Sequence, residues 1–305
     1  MTPSSLRPEQ PRGDIDVVGA APTRRALLLT HRAPDALRGA LPTVLSILDA
    51  AGVEVLVPAG EAEKHAMLAD RPSAEGVELS PGGEDVVMVL GGDGSILRAL
   101  AEHARSGAPI VGVNFGRVGF LASVERADLE RGLRRVLSGD YVVISLPSLG
   151  ASWSGGEFPA VNDLALLRGG ESRIAELSFA VDADTVAAVR ADGMVCSTPV
   201  GSTAYNLALG GPAVSWRVRC FVLSFLAAHH LEARPLVIGA SEVLTVTNDA
   251  LVGDCDVLVD GRRVGSLAPA RAITIGLSGP EVHLATFPES SFFRRYREKF
   301  GRQAP

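Results

Sequence analysis

Between residues 25 and 125, compact apolar runs alternate with stretches of helical periodicity. Ala26-Leu27-Leu28-Leu29-Thr30, Val53-Glu54-Val55-Leu56-Val57, Val86 to Leu90 and Pro109-Ile110-Val111-Gly112-Val113 read as short buried strands. Ala36 to Ala51 carries apolar residues at helical spacing, and Gly52 stops it. Ile96 to Ala104 reads as a second helix. Strand and helix in strict turn predict an α/β domain with a doubly wound parallel sheet.

The pattern changes near residue 140. Val142 to Leu146, Leu177 to Val181, Glu242 to Val246 and Val257 to Val259 are strand candidates separated by Gly, Asp and Pro. Long helical patterns become scarce, Arg217 to Ala228 being the exception. A β-rich, antiparallel C-terminal domain is expected. Ser291 to Phe300 is basic and aromatic at helical spacing, and is expected to pack back on the first domain. The expected organisation is a disordered tail at 1–22, an α/β domain at 23–138, a β-rich domain at 139–284 and a C-terminal segment at 285–305. Met1 to Pro22 is rich in Pro, Ser, Gly and charge, which suggests the tail. No repeat at a solenoid period is found.

Composition narrows the classes. The chain has 305 residues, 47% hydrophobic and 21% charged, enough for a sizeable core. A net charge of -6 argues against general nucleic-acid binding. The cleanest apolar run, Cys220 to Leu226, is too short to span a bilayer. Three cysteines without a Cys-x-x-Cys pair suit a reducing, cytoplasmic setting. Lys64 and Lys299 are the only lysines among 29 basic residues, so phosphate charge must be met by arginine, backbone N–H or metal.

Four constellations carry candidate chemistry. The first is Gly91-Gly92-Asp93-Gly94, placed directly after the strand that ends at Leu90 and before a helix. It sets a carboxylate where ligands of open α/β sheets bind, at a helix N-terminus that favours an anion. Asp93 is therefore a candidate base or metal ligand for phosphoryl transfer. The second is Gly112 to Leu121, a glycine-rich loop in which Arg117 is placed to meet a phosphate. The third is Asn162-Asp163, an amide and a carboxylate suited to ribose hydroxyls, and equally to a plain turn. The fourth runs from Arg190 to Pro212. Ser197, Thr198, Ser202 and Thr203 flank a Pro-x-Gly turn there, and their hydroxyls could cradle phosphate oxygens or a sugar. The adjacent histidines His229-His230 lack acidic or cysteine partners at zinc spacing. Neither a Gly-x-Gly-x-x-Gly fingerprint, a Walker loop nor a Gly-x-Ser-x-Gly elbow is present.

In order, these blocks resemble the NAD kinases, whose pattern is GGDG, GxNxGxxGFL, an Asn-Glu/Asp pair and DGxxxSTPTGSTAYxxSxGGP. His229, Arg234 to Val237 and Asp260-Gly261 resemble later family segments. Val200 stands in place of a threonine, Ser215-Trp216-Arg217 interrupts a proline-containing segment, and Arg262 replaces a common Gln or Asn. The resemblance implies an N-terminal α/β domain, a β-rich C-terminal domain and a site between them. It implies phosphoryl transfer from ATP to the adenosine-ribose 2′-hydroxyl of NAD, with a divalent metal, Mg or possibly Mn, and homodimers or homotetramers. Nucleotides are the implied partners, with no nucleic acid and no membrane. By position, Asp93 is the implied base. Gly92, Gly94 and Arg98 flank it, and Gly94 meets the acceptor ribose. Asn162 and Asp163 are assigned to NAD, and Asp192 to the nicotinamide carboxamide. Thr203, Ala204, Tyr205 and Ala208 line the nucleotide pocket. Arg173, Arg190 and Arg262 are further implied NAD contacts. Arg190 is expected to give a modest preference for NAD over NADH, through shape or by organising Asp192. Two rivals share less of the pattern: a GGDG-type lipid kinase and an inactive nucleotide-binding regulator.

Overall fold

The computed structural model describes residues 17–301 except 38, 82, 117–118, 171–173 and 230–232. Arg117, Arg173, His230 and most of the expected N-terminal tail lie outside the described residues.

An eight-stranded sheet forms the first layer. Its strands run in the order Val17–Gly19, Val142–Leu146, Val282–Thr286, Ile110–Asn114, Asp85–Gly91, Arg25–Thr30 and Glu54–Leu56, with Val124–Glu125 paired beside Ile110–Asn114. The strands from Val282–Thr286 to Glu54–Leu56 are mutually parallel, and antiparallel pairing begins at Val142–Leu146. Every residue of Asp85–Gly91 and Ile110–Asn114 is buried, as expected of central parallel strands covered on both faces. Helices Ala40–Ala50 and Asp93–Glu102 are among its covering elements, on opposite faces.

Two six-stranded antiparallel sheets form the second part. One contains Asp163–Arg168, Gly193–Ser197, Cys220–Leu226 and Cys255–Val259; the other contains Ala175–Val181, Leu244–Asn248 and Ala272–Gly276. Their inner faces share one core built from Leu164, Leu166, Phe179, Met194, Phe221, Val246 and Ile273. Alternating burial along Ala175–Val181 and Leu244–Asn248 is the mark of a sheet with one dry face.

Four expectations are corrected. Val142–Leu146 lies in the first sheet, antiparallel to Val282–Thr286, and not in the β-rich part. Within the expected tail, Val17–Gly19 pairs with Val142–Ile144 as an edge strand. The helix-like stretch Arg217 to Ala228 contains the strand Cys220–Leu226, hydrogen-bonded on both sides. Its aromatic and β-branched residues suit a pleated, buried surface, and a short apolar run has no periodicity that excludes either element. The helix expected from Ala36 starts at Ala40, because Gly39 adopts a left-handed φ of 78° and separates it from a short 3-10 turn.

The chain enters the first sheet early and returns to it late. Val282–Thr286 fills the place between Ile110–Asn114 and Val142–Leu146, with Leu284 fully buried. The helix Phe292–Phe300 follows and packs Phe292 against Phe120 and Trp216. Replacing Leu284 with Ala should therefore destabilise the protein by about 2–5 kcal/mol. Urea unfolding monitored by circular dichroism measures this, and a loss below about 1 kcal/mol would mean that the return strand is not part of the cooperative core.

Candidate active site

The strand Asp85–Gly91 delivers the chain to the helix Asp93–Glu102 through a single capping residue, Gly92. Asp93 is thus the first helical residue rather than a loop residue. The loop after Ile110–Asn114 folds against it. Asp93 Oδ2 accepts the N–H of Phe120 at 2.8 Å, and Oδ1 accepts that of Leu121 at 3.0 Å. Gly119 permits this contact: a Cβ there would lie 2.1 Å from Asp93 Oδ1. A carboxylate offers about four acceptor positions, so two stay open after these bonds. About one third of the Asp93 side chain is exposed, so solvent and substrate can reach them.

The carbonyls of the same loop are held from the other side. Arg295, on the C-terminal helix, donates from one guanidinium nitrogen to the carbonyls of Phe120 and Ala122 and from the other to Thr286 Oγ1. Arg295 is 6% exposed and lies 5.6 Å from the Trp216 ring centroid. Burial pulls its guanidinium below its ordinary value, opposed chiefly by the negative charge of Asp93. Trp216, which departs from the family pattern, is 5% exposed and packs between this helix and the glycine-rich loop.

A cleft of about 550 Å³ opens beside the turn. Gly92, Gly94, Ser95 and Arg98 form one wall, His31 and Arg32 a second, and Pro159 with Asp260-Gly261-Arg262 the third. The last wall belongs to the β-rich part. Asp260 has a left-handed φ of 47°, rare for a residue other than glycine. That conformation turns its carboxylate onto the backbone N–H groups of Val161, Asn162 and Asp163, at 3.0, 2.7 and 3.2 Å. Asp260 thereby fixes the Asn162-Asp163 pair beside the cleft. Burial, and then the Asp260 charge, pushes the Asp163 carboxyl up to about 7. Burial also raises Asp260 above the ordinary carboxylate range, opposed by its three backbone bonds and by Arg262. Asn162 Oδ1 and Arg98 Nε are buried without a hydrogen-bond partner among the described residues.

The chain matches the ATP-NAD kinase N-terminal domain over residues 40–141 and the ATP-NAD kinase C-terminal domain over 161–286. It is 33% identical to the NAD kinase of Symbiobacterium thermophilum over 262 residues, which is 84% of this chain and 91% of that one. It is 38% identical to the NAD kinase of Thermobifida fusca over 305 residues, covering 93% and 91%. This chain belongs to the ATP-NAD kinase family. Among solved structures it is similar to an Archaeoglobus fulgidus NAD kinase in complex with ATP, with a TM-score of 0.68 at 25% identity over 91% of this chain and 98% of that one. Yeast NADH kinase complexed with NADH shares the fold, with a TM-score of 0.79 at 21% identity over 95% and 94%. Membership of this family sets aside the GGDG lipid kinases.

The fold brings Gly92, Gly94, Arg98 and Arg262 to one cleft, with Asn162 and Asp163 held beside it by Asp260. It does not bring Arg190 and Asp192 there. In the antiparallel register Asp163 faces Ser197 and Leu167 faces Gly193, so Asp192 lies at the far end of that strand, about 15 Å away at ~3.3 Å per residue. Asp192 pairs with Arg168 at 3.0 Å, and Arg190 pairs with Glu176 at 2.8 Å. Arg190 therefore does not organise Asp192. The hydroxyls of Ser197, Thr198 and Ser202 do not face a ligand either. All three residues are fully buried and bond internally: Thr198 Oγ1 donates to the Val161 carbonyl at 2.6 Å and Ser202 Oγ to that of Pro199 at 2.7 Å. Their work is to weld the loop to the Asn162 turn, where Gly201 sits so close that a Cβ would be 2.0 Å from the Asn162 carbonyl oxygen. Thr203 and Tyr205 are half-buried, while Ala204 and Ala208 are exposed; none of the four lines the cleft. Val200 packs at 3% exposure in the core shared with Phe120 and Val161, which accounts for an apolar residue of threonine-like shape.

His31, Arg32 and Asp260 line the cleft and Arg295 holds the loop that binds Asp93; none of the four was on the expected list. The Asp-Gly turn gave a signal for Asp260. An arginine within Phe-Phe-Arg-Arg-Tyr-Arg reads as a surface residue, and nothing marked it as buried.

Two outcomes follow from this geometry. Gly119→Ala should lower kcat/KM by about 10²-fold, because a displacement near 1 Å of a reacting group has that effect. The variant should keep its fold by circular dichroism; unchanged turnover would show that the Gly119–Asp93 contact is dispensable. Asp163 binds a proton in the folded state up to about pH 7, well above its unfolded range. Its contribution is therefore fully present below about pH 4 and is lost as pH rises through about 7. Asp163→Asn should be the more stable chain at pH 8 by on the order of 3 kcal/mol, and nearly equal to the parent at pH 4. Urea titrations at both values test the sign.

Proposed function

We propose that this chain transfers the γ-phosphoryl group of ATP to the 2′-hydroxyl of the adenosine ribose of NAD, giving NADP and ADP, in the cleft beside Asp93. The observation that carries the reading is the carboxylate at the first turn of a helix, fixed by two backbone N–H groups while its remaining lone pairs face solvent. The ribose hydroxyl oxygen attacks the γ-phosphorus, its proton passes to Asp93, and ADP leaves with the electrons of the broken P–O bond. The N-terminus of the helix Asp93–Glu102 faces the phosphates with Gly94 and Ser95. Arg98, whose buried Nε makes no hydrogen bond among the described residues and lies 3.9 Å from Glu102 Oε1, and Arg262 neutralise phosphate charge. Asn162 and Asp163 hold ribose hydroxyls, and the unpaired Asn162 Oδ1 is an acceptor ready for one.

A divalent metal, magnesium in this reading, would be brought in by the triphosphate. Magnesium is commonly held by one or two carboxylates, water and substrate phosphates. Asp93 would be the carboxylate that holds it. When bound, the metal neutralises charge on the phosphates. Assignment of Arg190, Asp192 and the Tyr205 loop to NAD calls for a homodimer or larger assembly, in which a second copy supplies these residues to the cleft. Three buried free cysteines suit a reducing cytoplasm. No helix among the described residues is long and apolar enough to cross a membrane.

Asp93→Asn should lower kcat for NADP formation by about 10²–10⁴-fold, the usual contribution of a general base. Isothermal titration should show NAD binding within about threefold of the parent. A folded variant that keeps most of its turnover removes Asp93 from the chemistry; an inactive variant that also loses NAD binding makes it a binding residue instead.

A further inference from the structure

We propose that Lys299, on the C-terminal helix, is a catalytic residue that places its ammonium on the transferring phosphoryl group. The proposal rests on the reading of Asp93 given above. Lys299 Nζ lies 3.9 Å from Asp93 Oδ2, and it is the only cation in ion-pair range of Asp93 among the described residues. That separation exceeds a hydrogen bond, so the ammonium does not use its donors on the carboxylate. Lys299 makes no hydrogen bond among the described residues, and both side chains are about one third exposed, 32% and 33%. An ammonium and a carboxylate 3.9 Å apart, both partly exposed, can share an oxygen that accepts from one and donates to the other.

The placement is not a free surface accident. Nζ stands 4.9 Å from the centroid of Phe120, the residue whose N–H holds Asp93. The helix beneath it, Phe292–Phe300, is fixed by Ser291, whose hydroxyl accepts the Arg294 N–H at 3.2 Å, and by the buried Arg295. Of the other basic residues on this helix, Arg294 pairs with Glu298, Arg295 binds carbonyls, and Arg297 is exposed and outside ion-pair range of Asp93. The other lysine, Lys64, is tied to Glu61. Lys299 is thus the cation left uncommitted beside the reacting carboxylate.

The chemistry requires such a charge. A carboxylate base approaching a polyanionic γ-phosphoryl group meets like charge, and a compact ammonium between them lowers that repulsion. As the bond to ADP breaks, charge spreads over the equatorial oxygens of the phosphoryl group, and a fixed donor there acts mainly in the transition state. The proton still passes from the ribose hydroxyl to Asp93, and Lys299 keeps its own.

The test compares Lys299→Met, Lys299→Ala and Lys299→Arg in the full-length protein, in the NADP-forming assay. Lys299→Met keeps an apolar stem over Phe120 and should lower kcat about 10²-fold, with KM for NAD within about threefold. Lys299→Arg should retain part of the lost rate. Ethylammonium added to Lys299→Ala should restore turnover saturably, a response that a purely packing role would not give. A Lys299→Met enzyme within about threefold of parental kcat overturns the proposal, and so does a slow, folded Lys299→Ala that ethylammonium leaves unchanged. If the alanine variant does not fold, the methionine variant decides through its kcat. Failure of the underlying reading looks different: the parent forms no NADP, or Asp93→Asn turns over normally.

Discussion

Two backbone N–H groups of the glycine-rich loop meet the Asp93 carboxylate, and the rest of the site is arranged around that contact. A carboxylate at a strand end has rotational freedom unless something takes both oxygens. Here the N–H groups of Phe120 and Leu121 take them, while Arg295 binds the carbonyls of Phe120 and Ala122. The loop is clamped through its donors on one side and its acceptors on the other. Its peptide planes therefore cannot rotate without breaking charge-assisted hydrogen bonds, each stronger than a neutral one. The unit Asp85–Gly91/Asp93–Glu102, the glycine loop and the helix Phe292–Phe300 act as one rigid mount for a single side chain.

The opposite wall solves a similar problem at a cost. Asp260 fixes Asn162-Asp163 through three backbone bonds but does so in a left-handed conformation and beside a second buried carboxyl. Strain and like charge of this kind persist where surrounding structure over-determines them, and they concentrate at functional sites. The neighbouring hydroxyl-rich loop supplies that over-determination. Ser197, Thr198 and Ser202 are fully buried and bond only within the protein, holding the Asn162 turn from behind.

Much of the α/β half could be read from the chain because its strands are continuous apolar runs and its helices are periodic. Strand existence, as at Ile110–Asn114, follows from composition, whereas strand pairing does not. Val142–Leu146 has the same pattern whichever sheet it joins, so its place in the first sheet was invisible. Cys220–Leu226 shows the converse limit: apolar on both faces, it carries neither period. At the candidate site, Asp93 stood out because a glycine turn joins a buried strand to a helix there, whereas Gly92, Gly94 and Arg98 were named through the family resemblance; all but Asp93 line the cleft. The hydroxyls of the fourth block misled, since polar side chains that satisfy buried backbone look the same in sequence as those that face a ligand. Arg190 and Asp192 are motif neighbours of Ser197 and yet lie at the other end of the strand, because a β-strand separates its ends by more than a nucleotide's ribose.

The return of Val282–Thr286 to the first sheet also dictates when this protein can exist. The strand between Ile110–Asn114 and Val142–Leu146 is made after every other described strand of this sheet. During synthesis the first sheet has a gap at its centre, with two open edges facing it. Neither the first sheet nor the mount for Asp93 can close until Val282–Thr286 and Phe292–Phe300 have been made. Non-local pairing of this kind slows folding and leaves edges open to wrong partners in the interval. The consequence is temporal: a chain that has not yet supplied this strand and this helix holds no assembled site.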